Sequence, residues 1–142
     1  MASTGLEAFD TTVHKSNLWL SDIMKELGTH DRHLAFAALR GSLHAVRDRL
    51  PPEVAVHLAA QFPMLLRGLF YEGWQLTSRP SKIHLGDFLD FIDSHFRSTA
   101  VRPEPDVLAS AVFKTVSSHV SRGVVEDVKQ ALPKDLRALW PN

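Results

Sequence analysis

The sequence predicts an all-α fold, an eight-helix compact bundle built from two four-helix repeats with a pseudo-twofold relation. Three observations predict it. Prolines and glycines cut the 142 residues into helix-sized pieces whose apolar side chains recur every three to four positions. No segment alternates apolar and polar residues, and no Asn-Gly or Asp-Gly hairpin turn occurs. The second half also echoes the first, without gaps, at a spacing of seventy residues. Pro63 matches Pro133, Leu66 matches Leu136, Arg67 matches Arg137, Leu69 matches Leu139, Val46 matches Val116 and Val54 matches Val124. Similar pairs fill the intervals, among them Leu43 with Phe113 and Phe70 with Trp140. The chain is thus expected to be one domain over residues 1–142, with repeat one at about 4–74 and repeat two at about 83–142.

The first helix is predicted from about Thr4 to Leu27. Leu6, Phe9, Val13, Leu20, Ile23, Met24 and Leu27 form its apolar stripe, Ser3 or Thr4 caps its start, and Gly28 supplies a left-handed stop. Ser16 and Asn17 mark a place for a break. The second helix, Asp31 to Leu50, carries Phe36, Leu39, Leu43, Val46 and Leu50 in a 3-4-3-4 rhythm. Thr29 or Asp31 caps it, and Pro51 and Pro52 stop it. A third helix opens at Pro52 or Glu53 and ends near Phe62. Pro63, in the position proline favours, opens a fourth over Met64 to Tyr71, which Gly73 ends. A polar connection follows from Trp74 to Lys82.

The fifth helix is predicted over Leu85 to Phe96, with Phe88, Leu89, Ile92, His95 and Phe96 inward. It pairs with the first more loosely, at a spacing of sixty-nine. Asp106 begins the sixth, which carries Ala109, Phe113, Val116 and Val120, and Gly123 separates it from the seventh, Val124 to Leu132. Pro133 starts the eighth, ending near Trp140. Helix four is apolar on nearly every side, so either it lies centrally or part of it meets another molecule, whereas its counterpart places Lys134 and Asp135 where Met64 and Leu65 stand.

Composition excludes several functions. A chain that is 44% hydrophobic and 23% charged is globular. Lys plus Arg equals Asp plus Glu at 16 each, so no overall field draws the protein to nucleic acid or an anionic membrane. With no cysteine, disulfides, thiol catalysis and thiolate-bound zinc are ruled out, and a reducing cytoplasm is the expected setting. No secretory leader and no membrane-length apolar run is visible.

The stretch from Gln61 through Pro63-Met64-Leu65-Leu66-Arg67-Gly68-Leu69-Phe70-Tyr71-Glu72-Gly73-Trp74, preceded by Arg47-Asp48-Arg49-Leu50-Pro51, resembles a bacterial family known as domain of unknown function 2267. Leu132-Pro133-Lys134-Asp135-Leu136-Arg137-Ala138-Leu139-Trp140-Pro141 looks like that family's closing segment. The acid-rich turn usual in the family before helix five is reduced here to His84-Leu85-Gly86-Asp87. The resemblance implies a small, all-helical, intracellular bacterial protein without an established activity, and it brings no catalytic residues.

Few residues invite chemistry. The eight histidines include His30 and His33 three apart, but no His-Glu-x-x-His spacing, and no metal or cofactor is expected. Asp87, Asp90 and Asp93 lie on early turns of helix five, where the helix dipole explains them. No catalytic residue is assigned, and the protein is not expected to be an enzyme. His33, Arg40, His44 and Arg47 lie on the face of helix two opposite its apolar stripe, so their guanidiniums can hold a phosphate or carboxylate. Arg67 and Arg137, at matching corners, suit a folding role. Met64, Leu65, Phe70, Tyr71 and Trp74 form an apolar and aromatic group suited to an interface. The leading expectation is a non-enzymatic protein-interaction module that self-associates, as a homo-oligomer or with a protein partner, without membrane and without nucleic acid. The alternative is a binder of a small anion or nucleic acid through the basic face of helix two.

Overall fold

The computed structural model describes residues 3–76, 85–96 and 101–142. Among them are eight helices and no strand: α1 (Glu7–Leu27), α2 (Arg32–Arg47), α3 (Pro52–Ala59), α4 (Met64–Tyr71), α5 (Leu85–Asp93), α6 (Pro105–His119), α7 (Arg122–Ala131) and α8 (Lys134–Arg137). The all-helical expectation is borne out. The connection expected over Trp74–Lys82 passes, beyond Leu76, outside the described residues, as does His84.

The helix ends follow local chemistry. Gly28 takes φ 64°, and its own N–H and that of Thr29 close onto Lys25 O and Met24 O. Asp31 caps α2 by accepting from the Leu34 N–H at 3.1 Å. The start of α1 differs from expectation. Its N-cap is Leu6, with no side-chain bond. Asp10 instead reaches back and accepts from the Thr4 N–H at 2.9 Å and from the Thr4 and Ser3 hydroxyls, which holds its carboxyl below the usual range. No break occurs at Ser16 and Asn17. Gly123 lies inside α7; the separation falls at Val120 and Ser121, whose Oγ accepts from the Val124 N–H. The opening of α5 is served from outside, since the Leu85 N–H donates to the carboxylate of Asp135 on α8 at 3.2 Å.

Helix α2 lies at the centre, against α1, α4, α5 and α6. Helix α1 also packs on α6 and α4, α5 packs on α6, and α3 packs on α7. Leu39, Leu43 and Val46 of α2 meet Phe113 and Val116 of α6, Ile23 of α1 and Phe88 and Ile92 of α5 in one continuous core. Two aromatic series brace it. Trp19 meets Phe62 edge-on at 5.2 Å and Phe62 meets Phe70 at 5.5 Å, while Phe88 lies 6.3 Å from Phe113, which stacks on Trp140 at 4.4 Å.

Two stripes need correction. Leu6, Phe9 and Val13 were expected inward but stand 55%, 52% and 40% exposed, because α2 and α6 cover the later turns of α1. Those later turns carry the contacts: Trp19 stacks on His119, Asp22 pairs with His119, Glu26 with Lys114, and Asn17 accepts from Arg32. Phe36 was placed in the core stripe of α2 and is 45% exposed, while Ala35, Ala38 and Ser42 are buried. A central helix is covered on several sides, so its open line is set by its neighbours rather than by its own stripe.

Arginine closes two helix ends in the same way. The last four carbonyls of a helix lack intrahelical partners. Arg67 Nε donates to Ala59 O at the end of α3, and Nη2 donates to Ala60 O and Phe62 O, at 3.2–3.3 Å. Seventy residues later, Arg137 Nε donates to Lys129 O at 2.8 Å, and Nη2 donates to Leu132 O at 3.1 Å. Pro63 and Pro133, just before α4 and α8, have φ of −53° and −57°. Replacing Arg67 or Arg137 by Met should cost about 1–3 kcal/mol in urea unfolding. Lysine should not restore the loss, because an ammonium cannot span two carbonyls as a planar fork does. Equal stability of the Met, Lys and native chains would contradict this capping role.

Candidate functional site

The basic residues of α2 converge on the end of α4 rather than on solvent. Arg40 donates from Nε at 3.1 Å and from Nη2 at 2.8 Å to Oε1 of Glu72, in a pair that stays partly exposed. His44 Nε2 lies 2.7 Å from Leu69 O. Arg47 Nη1 donates to Phe70 O at 2.9 Å and Glu72 O at 2.7 Å, and its Nε donates to Asp48 at 2.9 Å. His33 remains exposed on the first turn of α2, apart from the other three. His44 and Arg47 were expected on an outer face, yet each is only 5% exposed. The physical reason is the C-terminus of α4, whose unmet carbonyls and negative dipole end rest on this side of α2.

The electrostatics follow from that burial. Loss of solvent pushes the His44 imidazole below its ordinary pKa; the Leu69 carbonyl opposes the shift, and Arg47, Arg40 and His95 add to it. The hydrogen bonds and charge of Arg40 hold the Glu72 carboxyl below its usual range. The cluster therefore has the character of a helix cap, with the Arg47 guanidinium and the His44 ring on backbone carbonyls and Arg40 on the Glu72 side chain.

The five residues expected at an interface are divided by the structure. Phe70 is fully buried, edge-on to Phe62 and Tyr71, and is removed from any docking surface. Tyr71 and Trp74 stack at 5.6 Å and 13° and lie half-buried against the core. Met64 and Leu65 are 59% and 52% exposed. The first turn of α4 is open, so within the chain the helix is not covered on every side. The Leu65 N–H donates to Thr12 Oγ1 of α1 at 2.8 Å, joining this turn to the uncovered half of α1. A groove between the two helices is lined by Thr11, Thr12 and Lys15 on one side and by Pro63, Met64 and Arg67 on the other. Leu6, Phe9 and Val13 on α1 were missed as surface residues. Their spacing gives a core stripe, and no sequence signal says that a stripe has outrun its partner helix.

Other titratable groups are dispersed or paired. Asp87 and Asp90 are exposed, and Asp93 pairs with Arg102. His119 bonds Asp22 at 2.7 Å, and His95 Nδ1 lies 3.0 Å from Phe91 O. His57 and Asp127 line a cleft between α3 and α7 with Val54 and Val124. Among the described residues no group of three or more His, Asp or Glu is placed to hold a metal ion. No helix among them is long and apolar enough to cross a membrane.

A family model described as an uncharacterized conserved protein, DUF2267, matches residues 16–139. No curated protein matches the chain. The two arginines of the α2 cluster are expected to differ sharply on substitution. Arg47→Met leaves two carbonyls and Asp48 without their donor and should destabilise by about 2–4 kcal/mol in urea unfolding. Arg40→Ala removes only a solvent-screened pair and should move the urea midpoint far less. A reversal of that order would show that the buried cap is not what fixes α4 to α2.

Proposed function

We propose for this chain, which belongs to the DUF2267 family, the role of a non-enzymatic helical interaction module that pairs with a second copy of itself through the open ends of α1 and α4. The observation that carries this role is the gathering of large exposed apolar side chains on two joined elements: Leu6, Phe9 and Val13 on α1, Met64 and Leu65 on α4. Several large apolar side chains exposed on two elements bonded to each other favour contact with another molecule.

Reading the chain as two repeats, as its seventy-residue spacing suggests, agrees with the same view. Arg67 and Arg137 make matching carbonyl bonds, and the packing of α1 on α6 is matched by that of α5 on α2. Within two such repeats, related by a pseudo-twofold axis, α4 and α8 are equivalent. Helix α8 places Asp135 where Leu65 stands and uses it to hold the start of α5. Helix α4 has no such duty at that position and exposes an apolar side chain instead. Half-buried Tyr71 and Trp74 extend the apolar surface of α4 beyond its last turn. The absence of cysteine and the family's bacterial character favour a bacterial cytoplasmic setting. Binding of an anion or nucleic acid through His33, Arg40, His44 and Arg47 has less support, since three of these four already serve the end of α4.

Sedimentation equilibrium across a wide concentration range tests the pairing. The native chain should form a homodimer, and Met64→Asp with Leu65→Asp should weaken it at least about tenfold, because each buried aliphatic side chain is worth about 1.5–3 kcal/mol. Phe9→Asp should act in the same direction. A chain that stays monomeric at every concentration removes the proposal.

A further inference from the structure

The buried imidazole of α2 is a second feature, independent of the pairing proposed above. His44 sits where three helices meet. Its Nε2 contacts Leu69 O near the end of α4 at 2.7 Å, and its ring lies 6.3 Å from that of His95, just beyond α5. His95 packs directly over Gly41, where an added Cβ would approach its ring to 3.2 Å, so α2 and the end of α5 are in close contact there. The charged groups around His44 are mostly of one sign. Arg40 and Arg47 flank it on α2 and His95 faces it from the end of α5, while Glu72 beyond α4 is the acid that acts on it, itself engaged by Arg40. No charged group of α1 or α6 acts on it among the described residues.

We propose that His44 makes this junction acid-sensitive: a proton added to its ring places a second buried cation beside that of Arg47, with the partly exposed Arg40 close by, and the end of α4 then releases from α2. Neutral His44 can keep its N–H on Leu69 O without charge. Protonation of the second ring nitrogen creates a charge that 5% exposure cannot solvate. The direction follows from linkage. The fold favours the neutral ring, so the stability it contributes is complete above the ordinary pKa of 6.5 and declines as pH falls below that value. The segment that opens is the one His44, Arg40 and Arg47 hold together, Leu69 to Glu72 and the Trp74 turn that follows.

Amide hydrogen exchange of the Glu72 and Trp74 N–H groups in the full chain, followed by NMR and corrected for intrinsic exchange, reads this opening. Protection should fall severalfold between pH 7.5 and pH 5.5, by at most about tenfold, the limit for an imidazole one unit below its free pKa. His44→Gln retains an N–H for Leu69 O and no titrating charge, and should abolish the fall. His95→Gln should leave it in place. Unchanged protection in the native chain, or a fall that survives His44→Gln or disappears in His95→Gln, overturns the proposal. Should His44→Gln not fold, direct titration of the His44 ring in the native chain decides: a midpoint below 6.5 supports the switch and one at or above it refutes it.

Discussion

A short helix ends in carbonyls that nothing inside it can satisfy, and in this protein that constraint shapes most of the structure. Helices α3, α4, α7 and α8 span four to ten residues, so two-fifths or more of each one's carbonyls lack a partner within the helix. Water cannot serve the ends that face the core. Arginine does so instead: Arg67 at the end of α3, Arg137 at the end of α7, and Arg47 with His44 at the end of α4. A planar guanidinium reaches two or three carbonyls at once while its stem packs among apolar neighbours. The net charge of zero leaves no global field, and several cations turn inward to helix dipoles rather than outward to a ligand.

That constraint also marks where the sequence was legible. The repeated Pro and Arg corners announced α4 and α8 before any contact was known, and α4 spans Met64–Tyr71 as its spacing requires. Gly28 and Gly73 take positive φ at the stops where composition places them. These features are local, and propensity and capping act locally. The face of α2 was not legible, because periodicity separates apolar from polar and does not separate solvent from a helix end. His44 and Arg47 look like a solvated face until the carbonyls of Leu69, Phe70 and Glu72 occupy it. Leu6, Phe9 and Val13 fail in the opposite sense, since amphipathicity says which side of α1 is apolar and not how far its partners extend.

The starts of α8 and α4 engage their neighbours differently. Asp135 at the start of α8 accepts from the Leu85 N–H, supplying the first residue of α5 with a partner from another helix. At the start of α4 the backbone N–H of Leu65 finds Thr12, which leaves the Leu65 side chain free of any folding task. An exposed apolar residue is ordinary when isolated. Here a second helix, bonded to the same turn through Thr12, exposes apolar side chains as well, and the proposed pairing rests on the two together.

Arg49 shows how strongly the rest of the core is determined. It is 4% exposed, two residues beyond Arg47, and its Nη1 donates to Ala45 O at 3.0 Å. Among the described residues its Nε and Nη2 meet no acceptor. Burial lowers its pKa, and Asp48 and Asp87 act in the opposite direction without forming a direct bond. What it does have is the face of Phe88, 5.2 Å from ring centroid to guanidinium carbon, at the head of the series that runs through Phe113 to Trp140. A cation over an aromatic face retains attraction where no oxygen is within reach. Arg47 ties α2 to a helix end through carbonyls, and Arg49 ties it to the aromatic core through a ring. The end of α2 and the turn that follows it thereby fix the helix to both halves of the chain.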